Sequence, residues 1–115
     1  MSWTIWHNPR CSKSRQTLKL LQDQGIEPTV RLYLKDPPSA EEIGEVIHRL
    51  GVEPRALMRR KESQYRELSL KNDALTEAQL VDAMVSHPVL IERPVVFNES
   101  RAALGRPPEN VLDLL

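Results

Sequence analysis

The first 34 residues switch hydrophobic period twice, and those switches limit the folds open to the chain. Trp3, Ile5 and Trp6 form a short apolar run that reads as a strand. His7-Asn8-Pro9 is turn chemistry, because Pro fixes φ and Asn tolerates unusual backbone angles. From about Cys11 or Ser12 the pattern is helical. Thr17, Leu18, Leu20 and Leu21 can share one side, and Gly25 offers a left-handed stop. Residues 29–34 then alternate, with Val30, Leu32 and Leu34 on one side and Arg31 and Tyr33 on the other, as a strand does. Strand, helix and strand over about 30 residues make a βαβ unit with parallel strands and a right-handed crossover.

Asp36-Pro37-Pro38 breaks this pattern, and the middle of the chain is helical. Ser39 with Glu42 is a capping box for a helix carrying Ile43, Val46, Ile47 and Leu50, closed by Gly51. His48 on that helix reads as a surface residue. Pro54 suits the first turn of a short segment over 55–60. Residues 61–73 are polar and without clear periodicity, anchored by Tyr65, Leu68 and Leu70. Thr76 with Gln79 caps another helix, which stops before His87-Pro88. Strand character returns at Val95-Val96-Phe97. Residues 101–104 are its antiparallel partner across Asn98-Glu99-Ser100, although that turn lacks the usual glycine. After Gly105-Arg106-Pro107-Pro108, a last helix offers Val111, Leu112, Leu114 and Leu115 for burial. The order βαβ, helical insert over about 37–87, ββα predicts an α/β, thioredoxin-like four-stranded mixed sheet flanked by helices.

At 115 residues the expectation is one domain spanning 1–115. Sixteen basic and sixteen acidic side chains leave no net charge, so no global field draws nucleic acid or an anionic membrane. Any anion site has to be local. No apolar run nears the ~18 residues of a membrane span and no signal peptide is evident, which points to a soluble, cytoplasmic protein.

Cys11 is the sole cysteine, so neither an internal disulfide nor an intramolecular resolving thiol exists. Its place at a strand-to-helix junction puts the sulfur near the first exposed N–H groups of a helix, which favour a thiolate. His7, Lys13 and Arg15 are close enough in sequence to add positive potential. From spacing alone, Cys11 is equally an inert small core side chain and an activated nucleophile. Three arginines, Arg59, Arg93 and Arg106, sit at chain breaks or element ends, and a guanidinium fork suits a tetrahedral oxyanion. Spacing does not say whether they converge on Cys11. Pro94 is a candidate for a cis X-Pro bond ahead of a strand.

Four blocks, HNPRCSKSRQTL at 7–18, RALMRRK at 55–61, HPVLIERPVV at 87–96 and GRPPENVL at 105–112, resemble the glutaredoxin-coupled arsenate reductase family, in its short branch. The resemblance implies that Cys11 is the nucleophile that attacks arsenate and that His7 helps to depress its pKa. It implies that Ser14 hydrogen-bonds the sulfur and that Arg59, Arg93 and Arg106 surround the oxyanion, with Arg60 the alternative to Arg59. The Arg93–Pro94 bond corresponds to the cis-proline of thioredoxin-like folds. Glutathione is implied as co-substrate and glutaredoxin as the partner that resolves the mixed disulfide, with no metal, no bound cofactor and a monomeric state. The chain departs from the best-known members at Arg10, Ser12 and Lys13, where they carry small residues.

Two other readings compete. A redox-responsive transcription adaptor that binds RNA polymerase shares the fold but often carries a Cys-x-x-Cys switch, where this chain has Ser14. A general glutathione-dependent thiol reductase keeps Cys11 but leaves the three arginines without a task.

Overall fold

The computed structural model describes residues 2–115. The chain forms two compact units, one of residues 2–36 with Arg93–Leu115 and the other of Pro37–Glu92. The first holds a mixed four-stranded sheet of order β2-β1-β3-β4: β1 (Thr4–Trp6), β2 (Thr29–Arg31), β3 (Val95–Phe97) and β4 (Ala102–Leu104). β1 pairs parallel with β2, Ile5 opposite Val30, and antiparallel with β3, Ile5 opposite Val96. β3 and β4 are antiparallel. The expected α/β sheet flanked by helices is therefore present.

Period-two alternation along β1 sends Trp3 and Ile5 to one face and Trp6 to the other. Trp3 and Ile5 pack with Leu21, Val96, Val111 and Leu114 into a buried cluster under α1 (Ser12–Asp23) and the C-terminal segment. On the opposite face Trp6 meets Phe97 edge-on at 5.6 Å between ring centroids. α1 ends in a Schellman motif: Gly25 sits at φ +78°, its N–H reaches Gln22 O, and Ile26 N–H reaches Leu21 O.

Two expectations in this unit need correction. The strand proposed over 29–34 stops at Arg31. The chain turns after Leu32, whose carbonyl accepts the Lys35 and Asp36 N–H groups, so alternation is lost. Tyr33 is buried instead, while Val30 and Leu34 are 44% and 46% exposed. The last segment, Pro108–Leu114, is a 3-10 helix. Its three-residue turn buries Pro108, Val111 and Leu114 in register and leaves Leu115 out.

The Asn98-Glu99-Ser100 turn forms without glycine because Asn98 replaces it chemically. Its Oδ1 accepts from Ser100 N–H and Arg101 N–H, at 3.0 and 2.9 Å.

The second unit extends to Glu92, beyond the expected limit at 87. α2 (Ala40–Leu50) and α4 (Glu77–Ser86) each carry the anticipated capping box, Ser39/Glu42 and Thr76/Gln79. Residues 61–73 include a short helix, α3 (Ser63–Glu67), with Tyr65 and Leu70 buried; Leu68 is exposed rather than an anchor. A 3-10 turn at Pro88–Leu90 leads to an antiparallel bridge between Ile91 and Met58. No helix among the described residues is long and apolar enough to cross a membrane.

Candidate active site

The loop from β1 to α1 is built by its own polar groups. Asn8 O accepts Cys11 N–H at 3.0 Å, and Asn8 Oδ1 accepts Arg10 N–H at 3.1 Å. Arg15, one turn into α1, donates to Pro9 O at 2.8 Å. These bonds close a turn at Pro9-Arg10 and leave Cys11 as the N-cap of α1, with φ −93° and ψ 122°. The sulfur is thus held at the positive end of α1.

Three positively polarised groups act on Cys11. Burial alone raises a thiol pKa, and it is the largest single influence here. It is outweighed by the Ser14 backbone N–H, by the hydrogen bond and charge of the Arg93 guanidinium, and by the Lys13 backbone N–H, so the thiol is shifted down overall. No side-chain cap bond of standard geometry forms at Cys11, so the α1 N–H groups work mainly as oriented dipoles. Arg106 adds Nη2 at 3.8 Å from Sγ, its guanidinium fixed by a 2.7 Å bond from Nε to Arg93 O. Lys13 and Arg15 do not contribute as expected: Lys13 acts through its backbone and Arg15 faces Pro9 O.

His7 and Ser14 also differ from the roles that the resemblance implies. The Ser14 hydroxyl is fully buried, accepts Asn8 N–H at 3.0 Å and lies 2.6 Å from His7 Nδ1. Its oxygen is occupied there rather than at the sulfur. Burial, and secondarily the Arg15 charge, push the His7 pKa down, which disfavours the charged ring in the loop below Cys11. The pair braces the loop from beneath.

Arg93 and Arg106 are both brought to Cys11 by the β3–β4 end of the sheet. Arg93–Pro94 is cis, as anticipated, and so is Arg106–Pro107, which no sequence signal announced. Gly105 is a further requirement that sequence reasoning missed. A Cβ there would overlap Thr17 Oγ1 and come within 2.7 Å of Pro94 Cγ, so only glycine lets this strand end pass between α1 and Pro94 to present Arg106. Arg59 belongs to the second unit, where it pairs with Glu62 and Glu92. Arg60 is exposed. No cluster of three or more His, Cys, Asp or Glu suited to a metal ion occurs among the described residues.

Known proteins are similar to this chain over nearly its whole length. The sequence profile of the ArsC family matches residues 6–114. An arsenate reductase of Haemophilus influenzae is 47% identical, with 100% of each chain covered. YfgD of Escherichia coli (strain K12), a protein described as uncharacterized, is 49% identical over 96% of this chain and 94% of its own. The solved arsenate reductase from Vibrio cholerae is 52% identical and superposes with a TM-score of 0.97, covering 100% of this chain and 98% of that one. With the profile spanning the loop, the sheet and the terminal segment alike, the chain belongs to the ArsC family.

Proposed function

We propose that the protein is an arsenate reductase in which Cys11 is the nucleophile and Arg93 and Arg106 hold the oxyanion. The observation that carries this reading is the convergence of two guanidinium groups and the α1 N-terminus on one thiol of lowered pKa. Cationic donors around a thiolate suit a substrate that is itself a tetrahedral anion. The arsenate reductases among the relatives support the same reading.

The Cys11 thiolate displaces an oxygen from arsenate, which leaves as water after protonation, and a Cys11 S–As(V) bond forms. A glutathione thiolate then attacks that sulfur. The S–As electron pair passes to arsenic, giving As(III), and a Cys11–glutathione disulfide remains. Glutaredoxin resolves the disulfide by thiol exchange. The two electrons come from two thiols, so the chain needs no second cysteine, resident cofactor or metal. A lone low-pKa thiol suits the reducing cytoplasm, and a monomer suffices for this chemistry. Neither competing reading needs guanidinium groups beside the thiol; the adaptor would also want a second cysteine where Ser14 is buried.

A coupled assay with arsenate, glutathione and glutaredoxin, each omitted in turn, is the direct test. Wild type turns over only with arsenate and thiol present, and Cys11→Ser is inactive while its circular dichroism is unchanged. Turnover by that variant sinks the reading. Arg93→Ala and Arg106→Ala each lower kcat/KM for arsenate by about 10²-fold or more. The role that the resemblance implies for Arg59 is tested in the same assay by Arg59→Ala, which loses arsenate turnover if the implication holds.

A further inference from the structure

Two cations that share a groove, Arg10 and Lys35, are unused by the arsenate chemistry. A groove of about 640 Å³ is lined by residues 7–10 of the β1–α1 loop and by Leu32, Leu34 and Lys35 of the loop after β2. Neither the Arg10 nor the Lys35 side chain makes a hydrogen bond or ion pair among the described residues. Of the neighbouring arginines, Arg15 is engaged by Pro9 O and Arg31 by Asp36. Asp36, the carboxylate next to Lys35 in sequence, faces that arginine. The groove therefore combines an apolar floor with two unneutralised positive charges on different loops. Leu34, nearly half exposed, is one of the few large apolar side chains left in water.

This chemistry does not suit the oxyanion. Arsenate is small and wholly polar, whereas the groove is of the size that takes a small organic ligand. An extended peptide-sized ligand with a carboxylate at each end matches the two separated cations. We propose that this groove is the subsite for glutathione, with its two carboxylates at Arg10 and Lys35 and its backbone along Leu32 and Leu34. The inference rests on the reading of Cys11 as the thiol that carries the arsenic adduct. Arg10 lies on the same β1–α1 loop as Cys11 and directly precedes it, so the groove borders the loop that carries the thiol.

Binding and turnover separate this subsite from the function it serves. S-methylglutathione, which cannot react, is titrated into the full chain and followed by amide chemical shifts. The shifts are expected to concentrate at residues 7–10 and 32–35. Arg10→Glu with Lys35→Glu weakens binding by about tenfold or more, and esterifying both glutathione carboxylates has the same effect on wild type. In the coupled assay the double variant raises the KM for glutathione and leaves the KM for arsenate in place. Shifts located elsewhere, or an affinity unchanged in the double variant, overturn the subsite. So does an effect confined to the KM for glutaredoxin, which would assign the groove to a protein reductant. Absence of arsenate turnover in wild type refutes the function, while the S-methylglutathione titration still decides the groove.

Discussion

Ser14 shows how one side chain is committed by its neighbours. Its hydroxyl oxygen serves Asn8 N–H and His7, while its backbone N–H acts on Cys11. Removing the hydroxyl leaves that N–H in place. Ser14→Ala is therefore expected to change the thiol pKa little and to cost about 1–3 kcal/mol of stability, from two lost bonds at a buried site. Arg93→Ala behaves in the opposite way, because it removes both a hydrogen bond to sulfur and a full charge. Its thiol pKa moves upward with little loss of stability. Iodoacetamide alkylation rates against pH, paired with urea melts, check both variants. A larger pKa shift in Ser14→Ala than in Arg93→Ala would reassign the sulfur's main partner to the hydroxyl.

At the scale of elements, the β4 end and α1 meet with no room to spare. Gly105 passes Thr17 and Pro94, and its N–H donates to Pro94 O at 3.0 Å. Thr17 is itself tied by Oγ1 to Lys13 O, so it cannot easily yield. Gly105→Ala is expected to destabilise by about 1–3 kcal/mol through overpacking and to disturb the Arg106 guanidinium beside Cys11. The matching measurements are a lower urea midpoint and a raised KM for arsenate. A variant as stable as wild type would show that the strand end relaxes freely. α1, α2 and α4 were legible because their signals are local: capping boxes, a C-terminal glycine and a 3.6-residue stripe. The end of β2 and the 3-10 character of the last segment were not. The apolar residues at 30, 32 and 34 fit a strand equally well, and only the turn after Leu32 rotates Tyr33 inward.

At the scale of the whole molecule, His7 and Cys11 both titrate below their ordinary values, and this ties stability to pH. His7 is lowered by burial and then by Arg15; Cys11 is lowered despite burial, by backbone N–H groups and Arg93. Between each group's folded pKa and its ordinary value, about 6.5 for His and 8.5 for Cys, the unfolded chain binds more protons than the folded one. The contribution of each group is complete above its ordinary value and is lost as pH falls through its folded pKa. Unfolding free energy from these groups thus rises with pH toward about 8.5. Cys11→Ser should remove the upper part of that rise, so its stability curve falls away from wild type as pH increases toward 8.5. Parallel curves would mean that the thiol titrates alike in both states.

The sequence by itself determined the order of elements, the caps, the mixed sheet and the placing of Cys11 at a helix start, because each depends on residues within a turn or two of one another. It also marked Arg93, Arg106 and Pro94, though only as residues at breaks. That Arg93 and Arg106 reach one sulfur from more than 80 positions away was decided by the pairing of β1 with β3, since sheet register sets which distant loops share an edge. Tertiary structure alone likewise assigned the Ser14 hydroxyl, the downward shift of His7 and the need for glycine at 105. Each follows from burial and from the atoms that happen to face it, and neither quantity is local in the chain.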